Sequence, residues 1–219
     1  MRKSILTLFG VLALVVACCV NCTGEVKTSG AICPDRNHPH AIDLGLPSGT
    51  LWSCCNIGAS KPDEYGSYFA WGETDECEVG DEQHYKYLNA DGFVDIGSDI
   101  SGTDYDVAHV KWGDDWVLPT EADYQELLDN CTFTRERHEN QKETVYLVTG
   151  PNGNTIIFPM CDDKKCHNPG RIGRYWSSNI YPYFNGKYAR IFRVDIDPAW
   201  QLSDFERFNG ISVRPVVKK

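Results

Sequence analysis

Thr144-Val145-Tyr146-Leu147-Val148 and Thr155-Ile156-Ile157-Phe158 flank the segment Gly150-Pro151-Asn152-Gly153-Asn154. β-Branched and aromatic side chains suit a pleated, half-buried surface, and a Gly- and Asn-rich connection supplies the backbone conformations that reverse the chain. The pattern predicts a hairpin and commits the second half of the chain to β structure. Tyr188 to Asp195 continues it: Tyr188, Arg190, Phe192 and Val194 alternate against Ala189, Ile191 and Arg193. Arg174 to Ser178 reads as a further short strand. Ile211 to Val216 closes the chain, and Pro215 suits a strand end or a sheet edge. In the first half, Ala41 to Leu46 alternates weakly and Pro47-Ser48-Gly49 makes a turn. Thr50 to Ile57 then reads as a short buried strand, and Tyr68-Phe69-Ala70-Trp71-Gly72-Glu73 as an aromatic segment that belongs in a core.

One helix is well marked. Trp116-Val117-Leu118-Pro119 leads into Thr120, a good N-cap, with Asp123 three residues on, close to the capping-box pattern. Glu121 and Asp123 complement the positive end of the helix dipole. Tyr124, Leu127 and Leu128 form one apolar stripe at helical spacing, and Asn130 ends it. Short antiparallel strands with one or two short helices predict an α+β fold. A length of 219 residues suits one domain. Aromatic residues at 12% exclude a disordered chain, and a net charge of −10 argues against a nucleic-acid partner, which needs clustered Lys and Arg.

Residues 1–17 stand apart. Met1-Arg2-Lys3-Ser4 followed by an apolar run from Ile5 to Cys19 reads as an export signal, too short for a membrane-spanning helix of ~20 apolar residues. Val15-Val16-Ala17-Cys18 resembles the bacterial lipobox, which implies cleavage before Cys18 and lipid on its sulfur. Cleavage removes Arg2 and Lys3, so the net charge moves from −10 to −12. Residues 18–40 then read as lipid anchor and flexible tether, with His38 and His40 as solvated histidines, and 41–219 as the domain.

Export permits disulfides. Of the 10 Cys, Cys18, Cys19 and Cys22 lie at the anchor and Cys33, Cys54, Cys55, Cys77, Cys131, Cys161 and Cys166 in the body. An odd number cannot all pair among themselves. Cys161 and Cys166 flank Asp-Asp-Lys-Lys and can close a small ring. No paired CxxC spacing suggests zinc. Residues 73–110 are irregular, Gly-punctuated and acidic. Asp91, Asp95 and Asp99 are the candidate calcium ligands there, although their spacing is not that of the twelve-residue calcium loop.

Seven segments, taken in order, carry a family resemblance. They are Asp43 to Trp52, Cys55 to Ala59, Tyr65 to Thr74, Trp116 to Thr120, Glu126 to Thr132, Tyr175 to Ser178 and Ser212 to Val216. Their order and spacing resemble the Fibrobacter succinogenes major paralogous domain, abundant in surface lipoproteins of Bacteroides and relatives, and the resemblance covers about residues 41–217. It implies a C-type-lectin-like fold related to formylglycine-generating enzymes, at the outer membrane or cell surface. It implies no settled activity. The Glu-Pro-Asn, Gln-Pro-Asp and Trp-Asn-Asp triplets of calcium-dependent lectins are absent, and so is the late cysteine pair of the oxidases. Cys55 and Cys131 match family positions, as a buried disulfide or as two buried thiols.

Three readings of function follow. The first is a non-enzymatic surface module that binds a glycan or a surface protein. Tyr181, Tyr183 and Trp200 are its candidate contacts, because aromatic rings beside polar groups suit stacking on a ligand. Trp71, Trp112, Trp116 and Trp176 are assigned to the core instead. The second is a structural component of a surface assembly such as a fimbria, which an exposed edge strand would favour. The third is a carbohydrate-active enzyme; no Gly-x-Ser-x-Gly or His-Glu-x-x-His motif supports it. No catalytic residue is expected, and calcium is the one cofactor with candidate ligands.

Overall fold

The computed structural model describes residues 39–78, 80–113, 115–137, 144–160, 171–195 and 201–219. In chain order they form β1 (Ala41–Asp43), β2 (Leu51–Ser53), β3 (Leu88–Asn89), β4 (Gly92–Phe93), α1 (Val107–Trp112), β5 (Trp116–Val117), α2 (Glu121–Asn130), β6 (Thr132–Arg137), β7 (Thr144–Thr149), β8 (Thr155–Pro159), β9 (Ile172–Ile180), β10 (Tyr188–Asp195), β11 (Gln201–Glu206) and β12 (Val216–Val217). The strands make four small antiparallel sheets, ordered β1-β2-β12-β5, β11-β10-β9, β6-β7-β8 and β3-β4. With two helices beside them, this is an α+β architecture.

β12 inserts between β2 and β5: Val216 faces Trp52 on one side and Val117 on the other. The end of the chain thus closes the sheet that its first strands begin. Pro215 sits just before β12, where its missing N–H costs no ladder bond, and its carbonyl accepts from Ser53 N.

The β9–β10 pair separates two cores. Tyr175, Phe192 and Val194 point into one with Leu44, Trp52, Tyr124, Leu127 and Phe158. Trp176, Ala189 and Ile191 point into the other with Phe69, Trp71, Ile100 and Leu118. Alternate residues of one strand serve opposite faces, so both faces of this hairpin are buried. In the first core Tyr124 stacks on Phe192 at 4.7 Å and Trp52 lies 5.2 Å from Tyr124. In the second, two indoles exchange hydrogen bonds across the chain: Trp71 Nε1 donates to Ser177 O (2.9 Å) and Trp176 Nε1 to Phe69 O (2.7 Å). Buried indole N–H groups need such acceptors. Trp112 and Trp116 are half-buried instead, packed edge-to-face at 5.2 Å on the margin of this core.

α2 begins as its sequence predicts. The Thr120 hydroxyl accepts from Asp123 N, and the Asp123 carboxylate accepts from Thr120 N at 2.7 Å, a complete capping box. The β7–β8 hairpin also forms, with Val148 opposite Ile156. Its turn docks on the first sheet: Asn152 and Asn154 side chains both donate to Asp43 O. Gly150 allows this approach, because a Cβ there would lie 2.1 Å from Leu44 O.

Three expectations change. α1 begins inside the stretch 73–110 read as irregular and runs past its end to Trp112. The Asp106 carboxylate nucleates it, accepting from Ala108 N and His109 N, and reaches on to Gly102 N and Leu118 N. The strand expected over Thr50 to Ile57 is ordered as β only over Leu51–Ser53, because the following backbone departs from the sheet and turns. His40 is not a solvated tether residue. It is half-buried, its carbonyl accepts from Cys54 N and its N–H donates to Cys54 Sγ, so the packed chain already includes residue 40.

Candidate ligand-binding site

The β9–β10 hairpin emerges from between the cores and ends in an aromatic tip. Tyr181 N donates to Tyr188 O, so the loop is pinned at its base. Tyr183 is 64% exposed and Phe184 67% exposed. Tyr181 lies under both, with ring centroids 5.3 Å from Tyr183 and 6.1 Å from Phe184, the latter nearly parallel at 20°. Phe184 also meets Tyr188 edge-on at 5.5 Å. The Arg190 guanidinium covers the Tyr181 ring at 4.6 Å and pairs with Glu121 at 3.3 Å. Large apolar side chains this exposed and mutually ordered are uncommon on a monomer surface away from a contact site.

The tip conformation is costly. Phe184 and Asn185 adopt φ of 59° and 52°, left-handed backbone that a phenylalanine rarely takes. Such residues cost of order 1–3 kcal/mol and cluster where geometry serves a ligand. Here the strain turns Phe184 outward and brings the Gly186 carbonyl inward onto Arg207.

Beside the tip lies a cavity of about 450 Å³, lined on one side by residues 93–98 and on the other by Ile180, Tyr181, Pro182, Asn185 and Gly186, with Arg207 also lining it. This volume is typical of small-ligand sites, ~300–1,000 Å³. β3 and β4 position the 93–98 wall, and Val94 N donates to Tyr87 O. Arg207 follows β11 directly and is 1% exposed. Burial pulls its pKa below the usual guanidinium value, and neighbouring Tyr85 offsets this in part. Burial raises the Tyr85 hydroxyl well above its ordinary pKa, so it stays a neutral donor to Trp71 O while it accepts from Arg207 Nε.

The structure brings two of the sequence candidates together. Asp95 and Tyr181, proposed for separate roles, face the same cavity. Tyr183 belongs to the adjoining tip. Asp91 and Asp99 do not join them in a metal cluster: among the described residues no group of three or more His, Cys, Asp or Glu is placed to hold a metal ion. The physical reason is local. Asp95 Oδ1 accepts from Gly97 N and Asp99 Oδ1 from Ser101 N, each closing its own turn. Trp200, Cys161, Cys166 and Cys18 lie outside the described residues. Cys131 is a half-buried thiol at the end of α2, so it forms no bridge with Cys55, which is buried beside Cys54 in the core.

A second cavity, about 190 Å³, is lined by Glu73, Glu76, Cys77, Glu78, Asp81 and His84. Burial raises the Glu73 carboxyl, whereas the His84 side chain holds the Asp81 carboxyl below its usual range. Asp81 caps the short 3₁₀ turn that carries His84 (Nδ1–Oδ1 2.7 Å), and Glu73 accepts from Lys86 N. Glu73 and Asp81 thus serve the loop that carries them.

Arg207 was not among the sequence candidates, and neither was Arg214. Arg214 is fully buried. Its Nε donates to Asn56 Oδ1 (2.8 Å), Nη1 to Ser53 O (3.0 Å) and Nη2 to Ile157 O (2.6 Å). Nothing local in sequence separates either arginine from a surface one, since burial of Arg is decided by distant partners.

The fold is an α+β domain with a cavity beside an exposed aromatic tip. Compared with protein-family models, curated proteins and solved structures, the chain matches none.

Proposed function

We propose that the mature chain is a lipid-anchored surface protein of the cell envelope whose C-type-lectin-like domain binds a glycan at the β9–β10 tip, without turnover chemistry. The observation that carries this reading is the exposed Tyr183–Phe184 pair beside the 450 Å³ cavity. Sugar rings present apolar C–H faces that stack on aromatic rings while their hydroxyls need hydrogen-bond partners. Exposed rings and a polar-walled cavity supply both within one loop's reach. Among the described residues Asp95 is the one carboxylate in the lining. The lipobox-like Val15-Val16-Ala17-Cys18 supports anchoring through Cys18. The ordered motif resemblance supports the C-type-lectin-like fold: Trp52, Trp71, Trp176 and Val213, drawn from those motifs, all lie in the cores.

The test is a glycan array probed with the mature protein, with and without calcium, beside a Tyr183→Ser/Phe184→Ser variant. The expected result is glycan binding that the double variant loses. Calcium dependence would revive the acidic segment as a contributor. No bound glycan, or equal binding by the variant, would overturn the reading.

A further inference from the structure

Two buried arginines in this chain make an internal comparison. Arg214 has a protein acceptor for Nε, Nη1 and Nη2. Arg207 is equally buried and equally wrapped in rings, its guanidinium carbon 4.7 Å from the Trp71 centroid and 5.4 Å from that of Tyr85. Its Nε donates to Tyr85 Oη (2.8 Å), and its Nη1 to Val94 O (3.1 Å) and Gly186 O (2.9 Å). Its Nη2 is buried and has no acceptor. Among the described residues Arg207 makes no ion pair. A buried guanidinium with an idle donor and no ion pair is unfavourable unless something completes it. What distinguishes Arg207 from Arg214 is position: Arg207 lines the cavity under the aromatic tip.

We infer that this cavity takes the carboxylate of an acidic sugar, a uronate-class glycan, with a carboxylate oxygen accepting from Arg207 Nη2. The inference rests on the glycan reading above and deepens it. The acid seats at the bottom of the cavity, its own ring lies against Tyr181, and the next ring reaches Tyr183 and Phe184. A carboxylate fills the idle donor with a charge-assisted hydrogen bond, which a neutral hydroxyl cannot do. The Gly186 carbonyl accepts from Nη1, so the strained turn fixes the same guanidinium beside the cavity. Asp95 is the opposing charge. It lines the same cavity and acts on Arg207 electrostatically without pairing to it, so it weakens an acidic ligand.

The experiment is calorimetric titration of the purified mature protein with oligogalacturonate, with its neutral galactose counterpart and with a glutamate-rich peptide. The expected result is at least about tenfold tighter binding of the uronate than of the neutral sugar, the scale of one charged hydrogen bond. Arg207→Met should abolish that preference. Asp95→Asn, at an exposed position, should tighten uronate binding severalfold and decides the matter if the Arg207 variant fails to fold. Equal affinity for acidic and neutral sugar, or weaker uronate binding by Asp95→Asn, would overturn the inference and leave the glycan reading standing. Arg207-dependent binding of the peptide alone, or no binding of any sugar, would overturn both.

Discussion

Arg214→Lys isolates what a planar guanidinium contributes to this fold, because it keeps the charge and most of the stem. In the structure three nitrogens serve three acceptors: Asn56 Oδ1, Ser53 O and Ile157 O. These acceptors come from the turn after β2, from β2 itself and from β8, so the fork ties the segment before β12 to both the first sheet and the β6–β8 sheet. A lysine ammonium is compact and satisfies about one of these sites without rearrangement. Two buried acceptors then remain unpaired, each costing roughly 1–2 kcal/mol, for a total of about 2–4 kcal/mol. A domain of this size loses roughly 2–4 °C in Tm per kcal/mol, so the expected drop is about 5–15 °C. Thermal unfolding followed by near-ultraviolet circular dichroism measures it, with urea titration at constant m-value as the check. Asn56→Leu combined with Arg214→Lys should cost less than the two separate changes added, because they remove one shared bond. A Tm change under about 2 °C with an unchanged spectrum would refute the claim that these bonds hold the two sheets to the segment before β12.

Other outcomes follow from the same structure. Phe184→Gly should leave Tm unchanged or raise it, because left-handed backbone of order 1 kcal/mol in strain is relieved, while glycan binding falls; parallel melting and binding curves check this. Asp106→Ala should lower stability by roughly 2–4 kcal/mol in urea unfolding, since four backbone N–H groups lose their acceptor. Burial, reinforced by Glu126, pushes the Cys131 thiol up from 9.0 to about 11. At pH 8 it should therefore alkylate roughly a hundredfold more slowly than an ordinary thiol of the same exposure, by mass-spectrometric labelling. The sign for stability follows: the folded state holds the proton longer, so this contribution is intact below pH 9, fades as pH rises toward 11, and disappears in Cys131→Ser. Mass spectrometry of the mature N-terminus should find lipidated Cys18; an intact, unlipidated Met1 would sink the anchor.

What was legible in the sequence was what local chemistry decides. Thr120 and Asp123 form their capping box from four consecutive residues, and the β7–β8 hairpin needs only its own turn. α1 was hidden because its signal is one aspartate in a Gly- and Asp-rich stretch, and Asp106 is distinguished by its reach to Leu118 N, twelve residues on. β6 and β11 were unread for a related reason: Thr132–Arg137 and Gln201–Glu206 carry polar side chains and become strands by pairing with β7 and β10. The site divides the same way. Tyr181 and Tyr183 stood out as aromatics in a polar loop, and Asp95 as an acid among glycines. Their shared cavity, and Arg207 within it, exist only because the β9–β10 hairpin, the turn after β11 and residues 93–98 converge. The motifs behind the family resemblance supply Trp52, Trp71, Trp176 and Arg214 to the interior, so they report the scaffold and leave the ligand to the loops.

The central claim is that the β9–β10 tip and its cavity bind glycan. Fluorotyrosine-labelled mature protein tests it most directly, since the chain has 11 tyrosines of which few lie at the site. With resonances assigned by single Tyr→Phe changes, titration with an oligosaccharide selected on the array should shift Tyr181 and Tyr183 and leave the core residues Tyr124 and Tyr175 where they are. Saturable binding that leaves Tyr181 and Tyr183 unmoved would contradict the account.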